Sequence, residues 1–187
     1  MKFWISVLLA LAVSLPAAAQ DTASEAPAEG AAEASASEAP SQEPPEYVAA
    51  THKDWEIRCS RGDNTCFLYQ LARNDAGDPV AEFSMILLPD ESEAVAGVTV
   101  VTPLGTLLTE GLRVQVDSGN TVQYPFSWCT RVGCFARYGL RPQELQAMRA
   151  GNKATLTLLS IAAPGQPITV NLSLSGFTAA HEDLKVR

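Results

Sequence analysis

Apolar and polar residues alternate with a period of two at many points along the chain after residue 50. In residues 112–116, for example, Leu112, Val114 and Val116 alternate with Arg113 and Gln115. Such alternation is typical of a β-strand with one buried face. Other runs are rich in β-branched and aromatic residues, which strands favour. The predicted strands are residues 55–59, 67–71, 80–88, 95–102, 112–116, 121–126, 135–140, 154–161 and 168–174.

Turn-forming sequences separate the predicted strands at short intervals, which favours antiparallel hairpins. Only residues 142–150 predict a helix, because Pro142 suits a first helical position and Gly151 is placed to end the helix. Parallel β-α-β units would need more helices than this. The pattern therefore predicts an all-β fold, an antiparallel β-sandwich of two sheets with one short helix.

The first twenty residues have the layout of a secretory signal. Lys2 precedes an apolar run over residues 4–15, and small residues lead to Gln20. This pattern predicts a signal peptide over residues 1–19, cleaved after Ala19. The apolar run is shorter than the roughly 20 residues that cross a bilayer, so no transmembrane segment is expected after cleavage. We therefore expect a periplasmic or extracellular protein, in the latter case at the outer surface.

Residues 20–46 consist almost entirely of Ala, Ser, Glu and Pro, with seven acidic residues and no Lys or Arg. A segment of this composition buries too little apolar surface to offset the entropy of ordering, so we predict a disordered acidic linker. The folded domain is then residues 47–187. It carries 14 acidic and 12 basic residues, so its net charge is close to zero. No basic stripe with interleaved aromatic residues occurs, and nucleic acid is not an expected partner.

The four cysteines form two closely spaced pairs, Cys59 with Cys66 and Cys129 with Cys134. Four cysteines allow three connectivities. Pairing within each local pair is favoured, because export leads to an oxidising compartment and the loops to be closed are short. A redox dithiol normally has two intervening residues, and zinc sites use similarly tight knuckles. The wider spacings here make a redox or metal site the less favoured alternative.

Reactive groups do not occur at productive spacing in the sequence. There is no Gly-x-Ser-x-Gly elbow, P-loop or dinucleotide fingerprint, and His52 and His181 are interpreted as surface residues. We therefore expect no catalytic residue, metal or cofactor, and a non-enzymatic interaction module. The alternative is a carboxylate-dependent hydrolase acting on envelope polymers. Glu82 and Glu110 are its candidate residues, because each interrupts an apolar neighbourhood.

Two charged segments and an aromatic cluster are candidate contact surfaces for a protein partner or envelope component whose identity the sequence leaves open. Residues 74–112 carry seven acidic residues and no Lys or Arg, whereas residues 131–149 carry four Arg and one Glu. Faces of opposite charge would orient a partner or a second copy in a homo-oligomer. Ordinary solvated loops are the alternative. For the aromatic residues between 124 and 135, packing around a disulfide is the first explanation.

Several motifs taken together resemble the invasion-associated locus B family. They are Asp54-Trp55-Glu56-Ile57-Arg58-Cys59 with the next cysteine at 66, Ala94 to Val98 leading to Pro103-Leu104-Gly105, residues 124–135 with their two cysteines, and Ser173-Leu174-Ser175-Gly176-Phe177. The resemblance covers nearly all of residues 50–180, and the acidic linker lies outside it. It implies an exported alphaproteobacterial protein with an immunoglobulin-like β-sandwich and no catalytic residues to carry over. The namesake is associated with entry into host cells, but most members belong to bacteria that invade nothing.

Overall fold

The computed structural model of the chain describes residues 45–89 and 92–187. The predicted signal peptide, and the predicted linker up to residue 44, lie outside the described residues. Within the described part the chain forms strands, helices and a short 3₁₀ helix, Leu108–Glu110. The strands are β1 (Glu46–His52), β2 (Trp55–Ser60), β3 (Cys66–Arg73), β4 (Pro79–Leu87), β5 (Ala96–Thr102), β6 (Leu112–Val116), β7 (Thr121–Tyr124), β8 (Phe126–Thr130), β9 (Gly133–Leu140), β10 (Lys153–Ser160) and β11 (Ala163–Ser173).

The alternation in the sequence reappears as alternating burial. In β2, for example, Trp55, Ile57 and Cys59 are buried, while Glu56 and Arg58 between them are half-buried. The inward side chains of the strands form one hydrophobic cluster that also includes residues of the two α-helices. The prediction of an all-β protein with one continuous core is therefore confirmed.

All strand pairs are antiparallel, and the strands join in one sheet of order β7-β6-β10-β11-β3-β4-β5-β9-β8, with β1 and β2 attached beside β3. Residues 121–126, predicted as one strand, are divided at Pro125. The segment before Pro125 pairs with β6, and the segment after it pairs with β9. One stretch of chain thus links the two ends of the sheet, which is nearly closed and barrel-like.

The predicted immunoglobulin-like two-sheet sandwich is not confirmed by this topology. Alternation in a strand reports only that one face is buried, and a sandwich and a nearly closed sheet both satisfy that condition. What separates the two is the set of neighbours of each strand. Here that set depends on Pro125, whose missing N–H is typical of a position where strand pairing changes.

One seam interrupts the sheet, where β3 changes neighbours along one edge. Residues Cys66 to Tyr69 pair with β2, whereas Arg73 alone pairs with β11, opposite Asn171. The side chain of Gln70, only 8% exposed, bridges the gap between these pairings.

The Gln70 amide makes bonds that backbone groups make elsewhere in the sheet. Its Oε1 accepts the Ser173 N–H at 2.8 Å, and its Nε2 donates to the carbonyl oxygens of Ser173 at 3.1 Å and Asp54 at 2.9 Å. The indole of Trp55 also donates to the Ser173 carbonyl, at 2.9 Å. Side chains of β2 and β3 therefore hold β11 where direct ladder bonds are few.

The predicted helix is present as α1 (Pro142–Ala150), and a second helix, α2 (Phe177–Leu184), was not predicted. Gly176 precedes α2 in the left-handed region, at φ 90°, and a Cβ at this position would meet the carbonyl oxygen of His52. The helix buries Phe177, Ala180 and Leu184 against the core. Among the described residues, no helix combines the length and apolar character needed to cross a bilayer.

Strand β1 was not predicted. Only its first residue, Glu46, belongs to the predicted linker, and the others lie between the linker and the first predicted strand, where apolar and polar residues do not strictly alternate. It pairs with β2 from Glu46 opposite Ser60 to His52 opposite Trp55, with an irregularity near Val48. The described fold therefore begins at the last residue assigned to the linker.

Candidate interaction site

The hairpin of β8 and β9 carries the most exposed strand of the described residues. Strand β8 pairs with β9 along one edge, and in the described part of the chain no strand pairs with its other edge. Four of its five residues are exposed, and Phe126 is half-buried. Unpaired N–H and C=O groups along such an edge are a template for pairing with another chain.

A disulfide fixes this hairpin beside its turn. Cys129 and Cys134 lie opposite each other in the ladder and are bonded, with Cα atoms 4.0 Å apart. The turn that follows presents Arg131 and Val132, and Val132 is 78% exposed. The hairpin therefore keeps its shape while its tip faces solvent.

Trp128 is the large aromatic residue of the exposed strand. Its ring is 41% exposed and stacks on Phe135, with centroids 5.3 Å apart and planes 10° from parallel. The guanidinium of Arg137 lies 5.8 Å from the centroid of the Trp128 ring. Packing around a disulfide therefore explains Phe135, which is half-buried, but leaves much of Trp128 in solvent. Exposed aromatic and Arg side chains in one place are characteristic of protein interfaces.

The other disulfide joins Cys59 to Cys66 across β2 and β3, with Cα atoms also 4.0 Å apart. Both pairings are those that the sequence favours, and all four cysteines are bonded. Within the described residues there is also no group of three or more His, Cys, Asp or Glu side chains arranged to hold a metal.

The structure does not bring together the two carboxylates considered for hydrolysis. Glu82 is exposed on β4, where it is flanked in the ladder by Leu71 and Val101. Glu110 lies in the 3₁₀ helix and accepts a hydrogen bond from Arg113 at 3.2 Å. Glu82 lines a shallow depression near Val132, and Glu110 is not part of it. The arrangement provides no pair of carboxylates across a cleft.

The oppositely charged segments do not form two separate faces in the described residues. Glu82 on β4 lies opposite Val101, and Arg137 on β9 lies opposite Thr99. Val101 and Thr99 are two residues apart on β5, so Glu82 and Arg137 share one face of the sheet. Asp90 and Glu91, which belong to the acidic segment, lie outside the described residues. A homo-oligomer stays a prediction.

The two histidines are more buried than the sequence interpretation assigned them to be. His52 ends β1 and its Nε2 lies 2.8 Å from Asp183 of α2. Hydrogen bonds from Arg187 and then His52 lower the pKa of the Asp183 carboxyl. His181 is 1% exposed, and burial lowers its pKa. Within the described residues its Nδ1 forms no hydrogen bond and lies 3.5 Å from Glu182 Oε1. Both histidines serve the docking of α2, which sequence reasoning missed together with the helix.

A cavity of about 550 Å³ with mostly polar lining residues lies at the seam, and Gln70 and Ser173 line it together with other residues on and beside β2, β3, β10 and β11. Its aromatic ring, Tyr69, is covered by the guanidinium of Arg58 at 3.4 Å from the ring centroid. Arg58 also donates to Glu56 at 2.8 Å. Arg58 thus already binds Glu56 and covers Tyr69, so these three side chains interact with one another and do not point to a bound ligand. We interpret the cavity as a surface groove filled by solvent.

Comparisons with known proteins agree on one family. The model of the family described as invasion associated locus B (IalB) protein matches residues 55–185. Two invasion protein B homologs from Brucella abortus, one from strain 2308 and one from biovar 1 strain 9-941, are each 27% identical over 135 residues, which cover 70% of this chain and 75% of theirs. The crystal structure of invasion associated protein B from Bartonella henselae matches with a TM-score of 0.64 and 27% identity, over 73% of this chain and 95% of that one.

Proposed function

The chain belongs to the invasion-associated locus B family, and from that premise we propose that it is an exported, non-enzymatic interaction module of the cell envelope. Its contact site is the β8–β9 hairpin, and its partner is a protein segment that adds to the edge of β8 that no strand of residues 45–89 and 92–187 occupies. The relatives' names refer to invasion. The proposal takes from them a role in contact and does not include entry into cells.

Export is supported by the signal-like layout of residues 1–19 and by both disulfides. Disulfides persist in the periplasm and outside the cell and are rare in reducing compartments. The acidic linker predicted over residues 20–46 would then either tether the domain or only space it. We place the mature protein in the periplasm or at the outer surface.

The single observation that carries the contact site is an exposed strand edge next to a fixed, exposed Trp128. Addition of a strand to a sheet edge supplies backbone hydrogen bonds, and adjacent side chains supply specificity. A stapled hairpin loses little conformational freedom on binding, which lowers the entropic cost of association. The hydrolase alternative has no comparable support, because Glu82 and Glu110 do not face each other across a cleft.

Site-specific photo-crosslinking in intact cells tests the contact site. We place a photoreactive phenylalanine at Trp128 and, as the matched control, at Ile161, an apolar residue that is 65% exposed in the β10–β11 turn. The proposal predicts a discrete adduct with one protein from position 128 and none from position 161. Equal adducts from both positions, or none from position 128, would contradict it. An adduct between two copies would assign the hairpin to a homo-oligomer.

Cell fractionation tests export separately. We expect the protein in the envelope or medium, with a mature N-terminus at Gln20 and no cysteine that reacts with a thiol reagent before reduction. Cytoplasmic protein that retains residues 1–19 and has reactive thiols would contradict export. This outcome is independent of the crosslinking result.

A further inference from the structure

A second cavity, of about 410 Å³, lies between α1 and the inner surface of the sheet. Phe83, Leu156 and Leu172, each at most 1% exposed, form part of its lining. Val114 and Val122 of β6 and β7 line its sides and are half-buried. The cavity therefore leads from the surface into the hydrophobic core.

The polar residues of this cavity are concentrated at its mouth. Five of them come from the β6–β7 turn, the end of β7 and the start of α1, namely Asn120, Tyr124, Arg141, Gln143 and Glu144, and the sixth is Tyr138 of β9. The Tyr124 hydroxyl donates to Glu144 Oε1 at 2.8 Å, which links β7 to α1 across the opening. Tyr124 also stacks on Tyr138, with ring centroids 3.6 Å apart. The mouth thus has a defined shape.

The interior suits an apolar molecule better than water. Water in a cavity needs two to four polar partners, and the interior residues offer mainly hydrocarbon and aromatic surface. Protein interiors are otherwise packed about as densely as organic crystals, so an open cleft of this size that reaches fully buried core side chains is unusual. Its volume lies in the range of about 300 to 1,000 Å³ that small-molecule sites occupy.

The mouth carries one cation, Arg141, and one anion, Glu144, and the Arg141 guanidinium is the group that can hold an anionic head group. Both oxygens of Glu144 are already engaged, Oε1 by Tyr124 and Oε2 by the Arg141 backbone N–H at 2.8 Å. The exposed Arg141 guanidinium forms no ion pair among residues 45–89 and 92–187. Its planar array of donors matches a carboxylate.

We propose that this cavity binds a fatty acid of twelve or more carbons, with the hydrocarbon chain among Phe83, Leu156 and Leu172 and the carboxylate at Arg141. Tyr138 and Leu140 of β9 line the cavity, but β8, its Trp128 and the hairpin turn do not, and the ligand proposed here does not depend on the partner proposed for β8. Binding would give the module a ligand of the kind that membranes supply.

Displacement of a fluorescent fatty acid, cis-parinaric acid, from the mature protein tests the proposal. Dodecanoate below its micellar concentration is the competitor. The main variant is Ala147→Trp, because Ala147 is exposed on α1 and lines the mouth. The matched control is Ala150→Trp, also exposed on α1 but away from this cavity. We expect saturable binding that Ala147→Trp weakens at least about tenfold and Ala150→Trp leaves unchanged, since the added indole occupies the opening.

A second variant tests the head group. Arg141→Gln should weaken dodecanoate about tenfold, the effect of losing one hydrogen bond to a charged group, while leaving the affinity for 1-dodecanol unchanged. Absence of saturable binding would overturn the proposal, as would equal affinity of the parent and Ala147→Trp proteins. Binding that prefers a zwitterionic lysolipid over dodecanoate, or that is insensitive to Arg141→Gln, would also overturn it.

Discussion

The two stapled hairpins of this protein use the same covalent device for different ends. In each, a disulfide joins cysteines that face each other in the ladder, and one cysteine of each pair is buried. Strand β2 has partners on both edges, β1 and β3, whereas β8 has a partner on one edge within the described residues. Trp55 of β2 is fully buried, and Trp128 of β8 is 41% exposed. A disulfide across two strands therefore does not by itself show that the hairpin is buried. The strands that pair with the hairpin determine which of its side chains are exposed.

Substitution of the tryptophan in each hairpin by alanine should give the largest difference in the free energy of unfolding. Trp55 packs edge-on against Phe83 and Phe177 and donates to Ser173. Trp55→Ala should lower the free energy of unfolding by about 4 kcal/mol, from the cavity and the lost bond. Trp128→Ala should lower it by less than about 1 kcal/mol, because the ring is already partly solvated. Urea unfolding of both variants measures these losses. Equal losses of free energy of unfolding would contradict the assignment of Trp55 to the core and Trp128 to the surface.

Removal of one disulfide or the other should give a smaller difference in the free energy of unfolding. The chain-entropy estimate for these short loops is about 2 to 2.5 kcal/mol each. Replacing Cys59 and Cys66 together by Ala should cost about 3 kcal/mol, because the buried Cys59 also loses core contacts. The same change at Cys129 and Cys134 should cost about 2 kcal/mol. A larger loss at the second pair, by urea unfolding without reductant, would contradict this order.

Gln70, which bridges the seam beside β2 and β3, should contribute more to the free energy of unfolding than an exposed glutamine does. Gln70→Leu should lower the free energy of unfolding by about 2 kcal/mol, because the Ser173 N–H and the Asp54 carbonyl lose their Gln70 partner. The control is Gln123→Leu on β7, an exposed residue whose amide donates to the Glu110 carbonyl, and it should cost less than about 0.5 kcal/mol. If both changes cost the same, Gln70 does not hold the seam.

The last and smallest effect is a dependence of stability on pH on the α2 side of the molecule. Burial lowers the pKa of His181 in the folded state, so the unfolded state binds more protons near and below the usual pKa of about 6.5. The stabilisation is therefore complete above the unfolded-state pKa of about 6.5, and it is lost as the pH falls through the lower pKa of His181 in the folded state. The free energy of unfolding should fall between pH 7.5 and 5.5, and His181→Leu should reduce the slope. An unchanged slope in the variant would exclude His181 as its source.

The sequence predicted local features well, because they depend on neighbouring residues. The bounds of α1 follow from Pro142 and Gly151, and the alternation in residues 112–116 matches β6. The missed elements depend on distant partners. Strand β1 contains a tyrosine, a valine and two alanines without strict alternation and is placed by pairing with β2, and α2 is positioned where Gly176 passes close to His52.

The candidate site illustrates the same limit. The aromatic cluster and both cysteine pairs were visible in the sequence, but their exposure was not. Trp128 and Phe135 occupy similar sequence contexts beside a cysteine, and Trp128 differs because β8 has a strand partner on one edge alone within the described part of the chain. The cavity beneath α1 could not be foreseen, since it is lined from six strands and a helix that are far apart in the chain.

The most direct test of the account compares the tips of the two stapled hairpins. A photoreactive residue is placed at Val132 in the β8–β9 turn or at Asp63 in the β2–β3 turn, both exposed, and irradiated in intact cells. If the β8–β9 hairpin is the contact site, we expect an adduct with a partner protein from Val132 and none from Asp63. An adduct from Asp63 alone, or equal yields from the two tips, would contradict it.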